Sequence, residues 1–206
     1  MRKVKEIKQV KIVLLGVVLT ILIVSAALNI YYYNLSLALT KRVQGATLEA
    51  AGGFQFGLVH AANILKSDAK PENVRTLVSD FNFHIYSALM YLRALRMYLL
   101  PSYEESLLVI EDLLWNITVQ GLGGVSDTFA GLSSEMRVDA FKELNIVASE
   151  KIFDMGLEVA GAFISHRRNH VVQTFEIIPS RLENAVLIAN DLESILNEWI
   201  TKYSQV

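Results

Sequence analysis

The hydrophobic pattern divides the chain into one continuous apolar run near the N-terminus and a longer region of helical periodicity behind it. No charged residue occurs from Ile12 to Thr40. A helix needs about 20 mainly apolar residues to cross the hydrocarbon core of a bilayer, and Ile12 to Ile30 supply them. The Tyr31-Tyr32-Tyr33 triplet that follows is typical of the membrane–water interface. We therefore predict a transmembrane anchor over residues 12–33.

Behind the anchor, apolar residues recur every three or four positions, which is the spacing of one face of a helix. The three prolines, at positions 71, 101 and 179, fall at breaks in this periodicity, where their missing N–H costs little. The fold class is therefore all-α: a single N-terminal transmembrane helix followed by an antiparallel bundle of four or five helices. The bundle helices are predicted over residues 34–66, 72–100, 103–119, 134–164 and from 180 to near the C-terminus.

The first bundle helix contains four glycines, Gly45, Gly52, Gly53 and Gly57, which weaken it because glycine costs about 1 kcal/mol against alanine in a helix. Two explanations stay open at this point. Small residues let another helix approach closely, or they produce a local bend. The apolar pattern also allows the segment after Asn34 to continue from the membrane span as one helix.

The breaks between helices carry recognisable local signals. Residues 121–133 are rich in glycine and serine, which predicts a loop. Residues 165–179 fit either a short strand or a continued helix. Ser102 to Glu105 and Ser180 to Glu183 each match a capping box, in which a serine and a glutamate satisfy free backbone N–H groups at a helix start.

Charge gives the anchor a direction. Residues 1–11 carry five basic residues against Glu6, a net charge of +4, whereas the whole chain carries −2, so residues 12–206 carry −6. Positive charge near a span favours the cytoplasmic side. We expect a protein of the cell membrane whose basic tail (1–11) lies in the cytoplasm and whose domain (34–206) is extracytoplasmic. The acidic domain argues against nucleic acid as a partner.

A cleaved secretory signal is the main alternative to a retained signal-anchor. Val24-Ser25-Ala26 offers small residues for a cleavage site. The apolar run is longer than the core of a usual signal peptide, which favours the anchor.

The chain lacks the residues and motifs that several classes of chemistry require. The chain has no cysteine, which excludes disulfides, zinc–thiolate sites and cysteine nucleophiles. No P-loop, Gly-x-Ser-x-Gly, dinucleotide-binding or His-Glu-x-x-His motif is present. We expect neither enzymatic activity nor a cofactor.

A basic turn holds the weak candidates for ion binding. His166 and His170 are four residues apart and would share a helix face, so they are the weak candidates for metal ligands. Asp80 and His84 have the same spacing. Arg167 and Arg168 lie between His166 and His170, and positive charge opposes a cation. The same arginines could contact an anion or acidic headgroups, although a solvated loop is the plainer interpretation.

Two sequons match the N-glycosylation pattern, at Asn34 and Asn116. Asn34 lies too close to the predicted span for easy access. Asn116 is the better candidate.

The helix over 72–100 is apolar on more than one side, which indicates either a central position in the bundle or burial against a partner. As a candidate partner or ligand surface we single out its aromatic residues, Phe81, Phe83, Tyr86, Tyr91 and Tyr98.

Three functional hypotheses follow. The first is a membrane-anchored interaction or scaffolding protein, in contact with the lipid bilayer and with a protein partner or a second copy of itself. The second is a sensor-like ligand-binding domain with an apolar pocket between helices. The third, a metal-dependent hydrolase, has the least support.

Overall fold

Helix α1 (Arg2–Leu65) is the longest element of the chain. The structure, a computed structural model, describes residues 2–99, 103–118, 124–168 and 171–205, with side chains from residue 16 onward except at 166–174. The chain divides into two compact units, Met1–Val43 and Gln44–Val206. Because α1 is one helix, the expected continuation beyond Asn34 is confirmed.

In the first unit, every residue from Gly16 to Val43 is exposed. Within the described residues, one helix, Gly16–Leu65, is long and apolar enough to cross a membrane, with a mean hydropathy of 1.8 in its most apolar window. Exposing such a surface to water carries a large free-energy cost, which a hydrocarbon environment removes.

The second unit is a helical bundle with one small hairpin, so the predicted fold class is confirmed. Its core is a single cluster of buried apolar side chains drawn from every helix and from the start of the first strand. The elements that follow α1 are α2 (Val74–Tyr98), α3 (Glu104–Thr118), α4 (Val125–Gly131), α5 (Ser134–Gly161), β1 (Phe163–Arg168), β2 (Val171–Ile177) and α6 (Pro179–Ser204).

Helix α6 shows how the core is closed. Trp199 lies on its buried face and packs against Phe129 of α4, with ring centroids 5.0 Å apart. The indole N–H of Trp199 donates a hydrogen bond of 3.1 Å to the carbonyl oxygen of Ala140 on α5. The large ring is therefore buried without leaving its polar atom unsatisfied.

The prediction of a loop over residues 121–133 is wrong from Val125 to Gly131, which form α4. Val125 and Phe129 are buried in the core. Burial of these two side chains offsets the weak helix propensity of the surrounding glycine and serine residues.

Residues 163–177 form the antiparallel hairpin β1–β2, with Phe163 paired to Ile177 and a register irregularity between His166 and Arg167. Of the two alternatives for this region, the strand is correct. The predicted end of the preceding helix at residue 164 is wrong, because α5 stops at Gly161.

The capping box at Ser180 is also wrong. Helix α6 starts one residue earlier, with Pro179 in its first turn and Ile178 at the N-cap without a side-chain cap. Proline is suited to the first helical position because the N–H it lacks would be unpaired there. Ser133 does cap α5, accepting from the Met136 N–H at 3.4 Å. Ser102, in the other predicted box, lies outside the described residues.

Candidate functional site

Helix α2 has two apolar faces on opposite sides. The inward face contributes to the core, and Phe81 on it is only 1% exposed. Phe81 therefore belongs to the core and not to the candidate partner surface. The inward residues are Val74, Phe81, Ile85, Ala88, Leu89, Leu92 and Leu95.

The other four residues singled out from the sequence, together with two methionines, are exposed on the outward side of α2. We call this set the aromatic face: Phe83, Tyr86, Met90, Tyr91, Met97 and Tyr98. At 100° per residue these positions fall within one arc of about 140°. A soluble helix normally presents charged or polar residues there, so the second apolar stripe needs an explanation.

The aromatic face contains a shallow cavity of about 430 Å³. All of the described residues that line it belong to α2, and none of them is charged. This cavity is not a pocket between helices, and the ligand pocket expected there stays a prediction. The lining residues form a groove along one helix, from Phe83 to Ala94.

Two arginines of α2, Arg93 and Arg96, contact α3 and not the aromatic face. Arg93 and Arg96 bind the carboxylate of Glu111 on α3, at 2.8 and 2.7 Å. The Arg93 guanidinium also lies over the Trp115 ring, 4.9 Å from its centroid. The two arginines nearest to the aromatic face are thus engaged against α3.

Glycines on α1 let α2 approach closely beside this face. A Cβ atom at Gly57 would lie 2.9 Å from both the Ala88 Cβ and the His84 carbonyl oxygen, and one at Gly53 would meet the Tyr91 ring at 2.5 Å. At these two positions close approach is the correct explanation. Gly45 and Gly52 have nothing within 4 Å, so close approach does not explain them.

Four rings form a continuous row from α1 to the edge of the aromatic face. Phe56 contacts His60 (centroids 4.1 Å apart), His60 stacks on His84 (5.2 Å), and His84 meets Phe83 edge-on (5.3 Å). Burial and the neighbouring His60 lower the pKa of His84 from its ordinary value of 6.5, and Asp80 partly opposes this. Burial and His60 both favour the neutral form of His84.

The remaining predicted sites lie elsewhere. Asn116 is exposed on α3, and Asn34 is exposed on α1. His166, Arg167 and Arg168 end strand β1, with side chains outside the described set, and His170 is outside it entirely. Among the described residues, no group of three or more His, Cys, Asp or Glu side chains could hold a metal ion.

A second cavity, of about 510 Å³, lies between α2, α4 and α5. Its polar lining residues are Arg75, Ser79, Asn82, Ser126 and Arg137. It was not predicted from the sequence, because these residues come from three segments and form no motif. A partial signal was available, since Arg75, Ser79 and Asn82 recur at helical spacing on one side of α2.

Comparison with known proteins adds no relative. No protein-family model, no curated protein and no solved structure matches the chain.

Proposed function

We propose that this chain is a non-enzymatic, single-pass membrane protein that holds a partner protein through the aromatic face of α2. In this proposal residues 1–11 stay in the cytoplasm, the apolar part of α1 crosses the cell membrane, and the bundle acts on the extracytoplasmic side. The protein is then an interaction component of a larger membrane assembly.

The observation that carries the proposal is the second apolar stripe of α2. Large uncharged side chains remain exposed there, although the same helix buries a complete stripe on its other side. Aromatic residues and methionine are enriched at the centres of protein interfaces, where charged residues are depleted. Contiguous exposed apolar patches commonly mark interaction sites.

The shape of the face favours a helix as the occupant. Phe83, Met90 and Met97 are seven residues apart, and the stripe from Phe83 to Tyr98 spans about 22 Å at 1.5 Å per residue. A seven-residue repeat of apolar side chains matches the packing of one helix along another. We therefore propose a helix of another membrane-associated protein as the partner.

A lipid surface fits the face less well. Helices that lie on membranes usually carry lysine or arginine on their polar side, which attracts acidic headgroups. The arginines closest to the aromatic face, Arg93 and Arg96, are instead paired with Glu111. We therefore expect the occupant of the aromatic face to be a protein that contacts it through apolar side chains.

The test is site-specific photo-crosslinking in the intact membrane. A photoreactive phenylalanine analogue at Tyr86, an exposed position on the aromatic face, should form an adduct with a defined protein whose mass and peptides identify it. The same analogue at Leu187, exposed on α6, is the control and should form no such adduct. An adduct with the mass of two copies of this chain would contradict the proposed partner and identify a second copy as the occupant of the face.

A matched pair of substitutions tests the same surface without crosslinking. Met97 on α2 is 83% exposed and Ile146 on α5 is 82% exposed, so a change to serine should disturb the fold equally little at either position. Met97→Ser should reduce co-purification of the partner after gentle detergent extraction, whereas Ile146→Ser should not. Equal recovery of the partner with both variants would rule out the aromatic face as the docking site.

A further inference from the structure

The cavity between α2, α4 and α5 has the features of a binding site for a small anion. Two arginines, Arg75 and Arg137, line it, and none of its other described lining residues is acidic. A volume of about 510 Å³ lies within the range of roughly 300–1,000 Å³ that is common for small-molecule sites. This cavity is separate from the aromatic face, and the inference does not depend on the proposed function.

One of the two arginines is held in place by α4. The Arg137 Nε donates to the Phe129 carbonyl oxygen at 2.7 Å, and its Nη2 donates to the Ala130 carbonyl oxygen at 3.1 Å. A guanidinium has five N–H donors, so three remain after these two bonds. The charge is therefore fixed at the cavity before any ligand arrives, which reduces the entropy cost of binding.

Arg75 is the exposed counterpart. It lines the cavity, and in the described part of the chain its guanidinium makes no ion pair or hydrogen bond. A planar guanidinium can bind a carboxylate through two parallel hydrogen bonds. Arg75 is thus available for a ligand in a way that Arg93 and Arg96 are not.

Two polar side chains of the cavity offer hydrogen-bonding groups to a ligand. Ser126 is only 5% exposed, and it belongs to the lining of the cavity. The Asn82 Oδ1 is buried and has no donor among the described residues. An unpaired buried polar atom costs about 1–3 kcal/mol, and a ligand that supplies the missing partner would recover this free energy.

We infer that this cavity binds a small organic carboxylate that carries its own hydrogen-bond donor. The carboxylate lies between the Arg75 and Arg137 guanidinium groups and accepts from the Ser126 hydroxyl. A hydroxyl or ammonium group of the same molecule donates to the Asn82 Oδ1. Hydroxy acids and amino acids are the chemical class that combines these two groups.

The test uses the full chain purified in detergent, with sodium salts of L-malate, L-glutamate and succinate as probes at matched ionic strength. Malate or glutamate should raise the thermal midpoint and give a saturable isotherm by calorimetry. Succinate has the carboxylates but no donor, so it should bind more weakly. The inference fails if no probe raises the midpoint at concentrations up to about 10 mM, well above a millimolar Kd.

Substitutions assign the binding to the cavity. Arg75→Ala should weaken binding roughly tenfold or more, since it removes a charge-assisted hydrogen bond. The affinity of Arg75→Lys should lie between those of Arg75→Ala and the unchanged protein. Lys142→Ala removes one charge from an exposed position of α5 outside the lining and should bind like the unchanged protein. Equal weakening by Lys142→Ala would show a non-specific charge effect and overturn the inference.

Asn82→Leu tests the donor part separately. It should abolish the preference for malate over succinate while leaving a weaker affinity for both. Circular dichroism and the midpoint without ligand verify that each variant folds. If inorganic phosphate binds as tightly as malate, and Asn82→Leu affects neither, the site recognises simple oxyanions and the inferred ligand class is wrong.

Discussion

Gly52 and Gly57 lie five residues apart on α1, yet only one of them is packed against another helix. Gly57 faces the backbone of α2, including the His84 carbonyl oxygen and the Ala88 nitrogen, whereas Gly52 has nothing within 4 Å. At the residue scale, the same amino acid therefore has a packing role at one position and none at the other. Substitutions at these two positions therefore report on how closely α1 and α2 approach each other.

We predict opposite effects of alanine at these two positions. Gly57→Ala should destabilise the domain by about 1–3 kcal/mol, because its Cβ would press on backbone atoms of α2 that cannot move independently. Gly52→Ala should stabilise it by up to about 1 kcal/mol through helix propensity alone. Chemical unfolding of both variants measures the difference. A stabilising Gly57→Ala would mean that the two helices are further apart.

The lowered pKa of His84 predicts a pH dependence of stability. Because the folded state resists protonation, the unfolded state binds more protons near the ordinary pKa of 6.5. The contribution of neutral His84 to the free energy of unfolding is therefore fully present above that pKa. It is lost as the pH falls through the ordinary pKa towards the lower pKa of the folded state. Unfolding measured from about pH 7.5 to about pH 5.5, which brackets the ordinary histidine pKa, should show this loss.

Two variants identify the group responsible. His84→Gln should reduce the loss of stability on acidification. Asp80→Asn should increase it, because Asp80 is the charge that raises the pKa of His84 and opposes the other two causes. Identical slopes in all three proteins would exclude His84 as the source.

At the scale of elements, the pairing of α2 with α3 is anchored by one carboxylate. The Glu111 side chain is 11% exposed and binds both Arg93 and Arg96, whereas Glu104 is 50% exposed and lies 3.9 Å from Arg96. Buried ion pairs are costly to break because the partner left behind is a desolvated charge. Exposed pairs contribute little.

We predict that Glu111→Ala destabilises the domain by about 1–3 kcal/mol, at the lower end for a buried pair because the arginines are partly solvated. Glu104→Ala should cost less than about 1 kcal/mol, from the weak pair and the helix dipole together. Urea unfolding near neutral pH compares the two. The freed arginines should also lower partner recovery in the Glu111 variant, since their charge can then reach the aromatic face.

At the scale of the whole molecule, the proposed orientation rests on the basic residues before the apolar run. The chain contains no cysteine, so each engineered cysteine is the single reactive thiol of the protein. Lys5 lies in the N-terminal basic tail and Ser194 is exposed on α6. These two positions lie on opposite sides of the predicted span.

We predict that Ser194→Cys reacts with a membrane-impermeant maleimide in intact cells, and that Lys5→Cys reacts only after permeabilisation. The unchanged, cysteine-free protein supplies the background. The reverse labelling pattern would invert the topology. Loss of the Lys5→Cys label from the mature protein would instead indicate that the N-terminal segment is removed as a signal peptide.

What could be predicted from the sequence alone was decided by local and periodic signals. The charge-free run from Ile12 to Thr40, the 3.6-residue periodicity and the prolines were enough for the apolar first helix and the all-α class, because each acts within one segment. The same signals were misleading where tertiary burial outweighed local preference. Val125 and Phe129 make a helix of a glycine- and serine-rich segment because they enter the core.

The candidate sites depended on contacts between segments that are distant in sequence. Composition showed that α2 is apolar on several sides, but only packing assigned Phe81 to the core and Phe83 to the surface. The cavity of Arg75, Ser126 and Arg137 exists only because α2, α4 and α5 meet. The sequence by itself determined which segments are helical and apolar. The tertiary structure decided which of their faces stay uncovered, because burial depends on neighbours that no local pattern specifies.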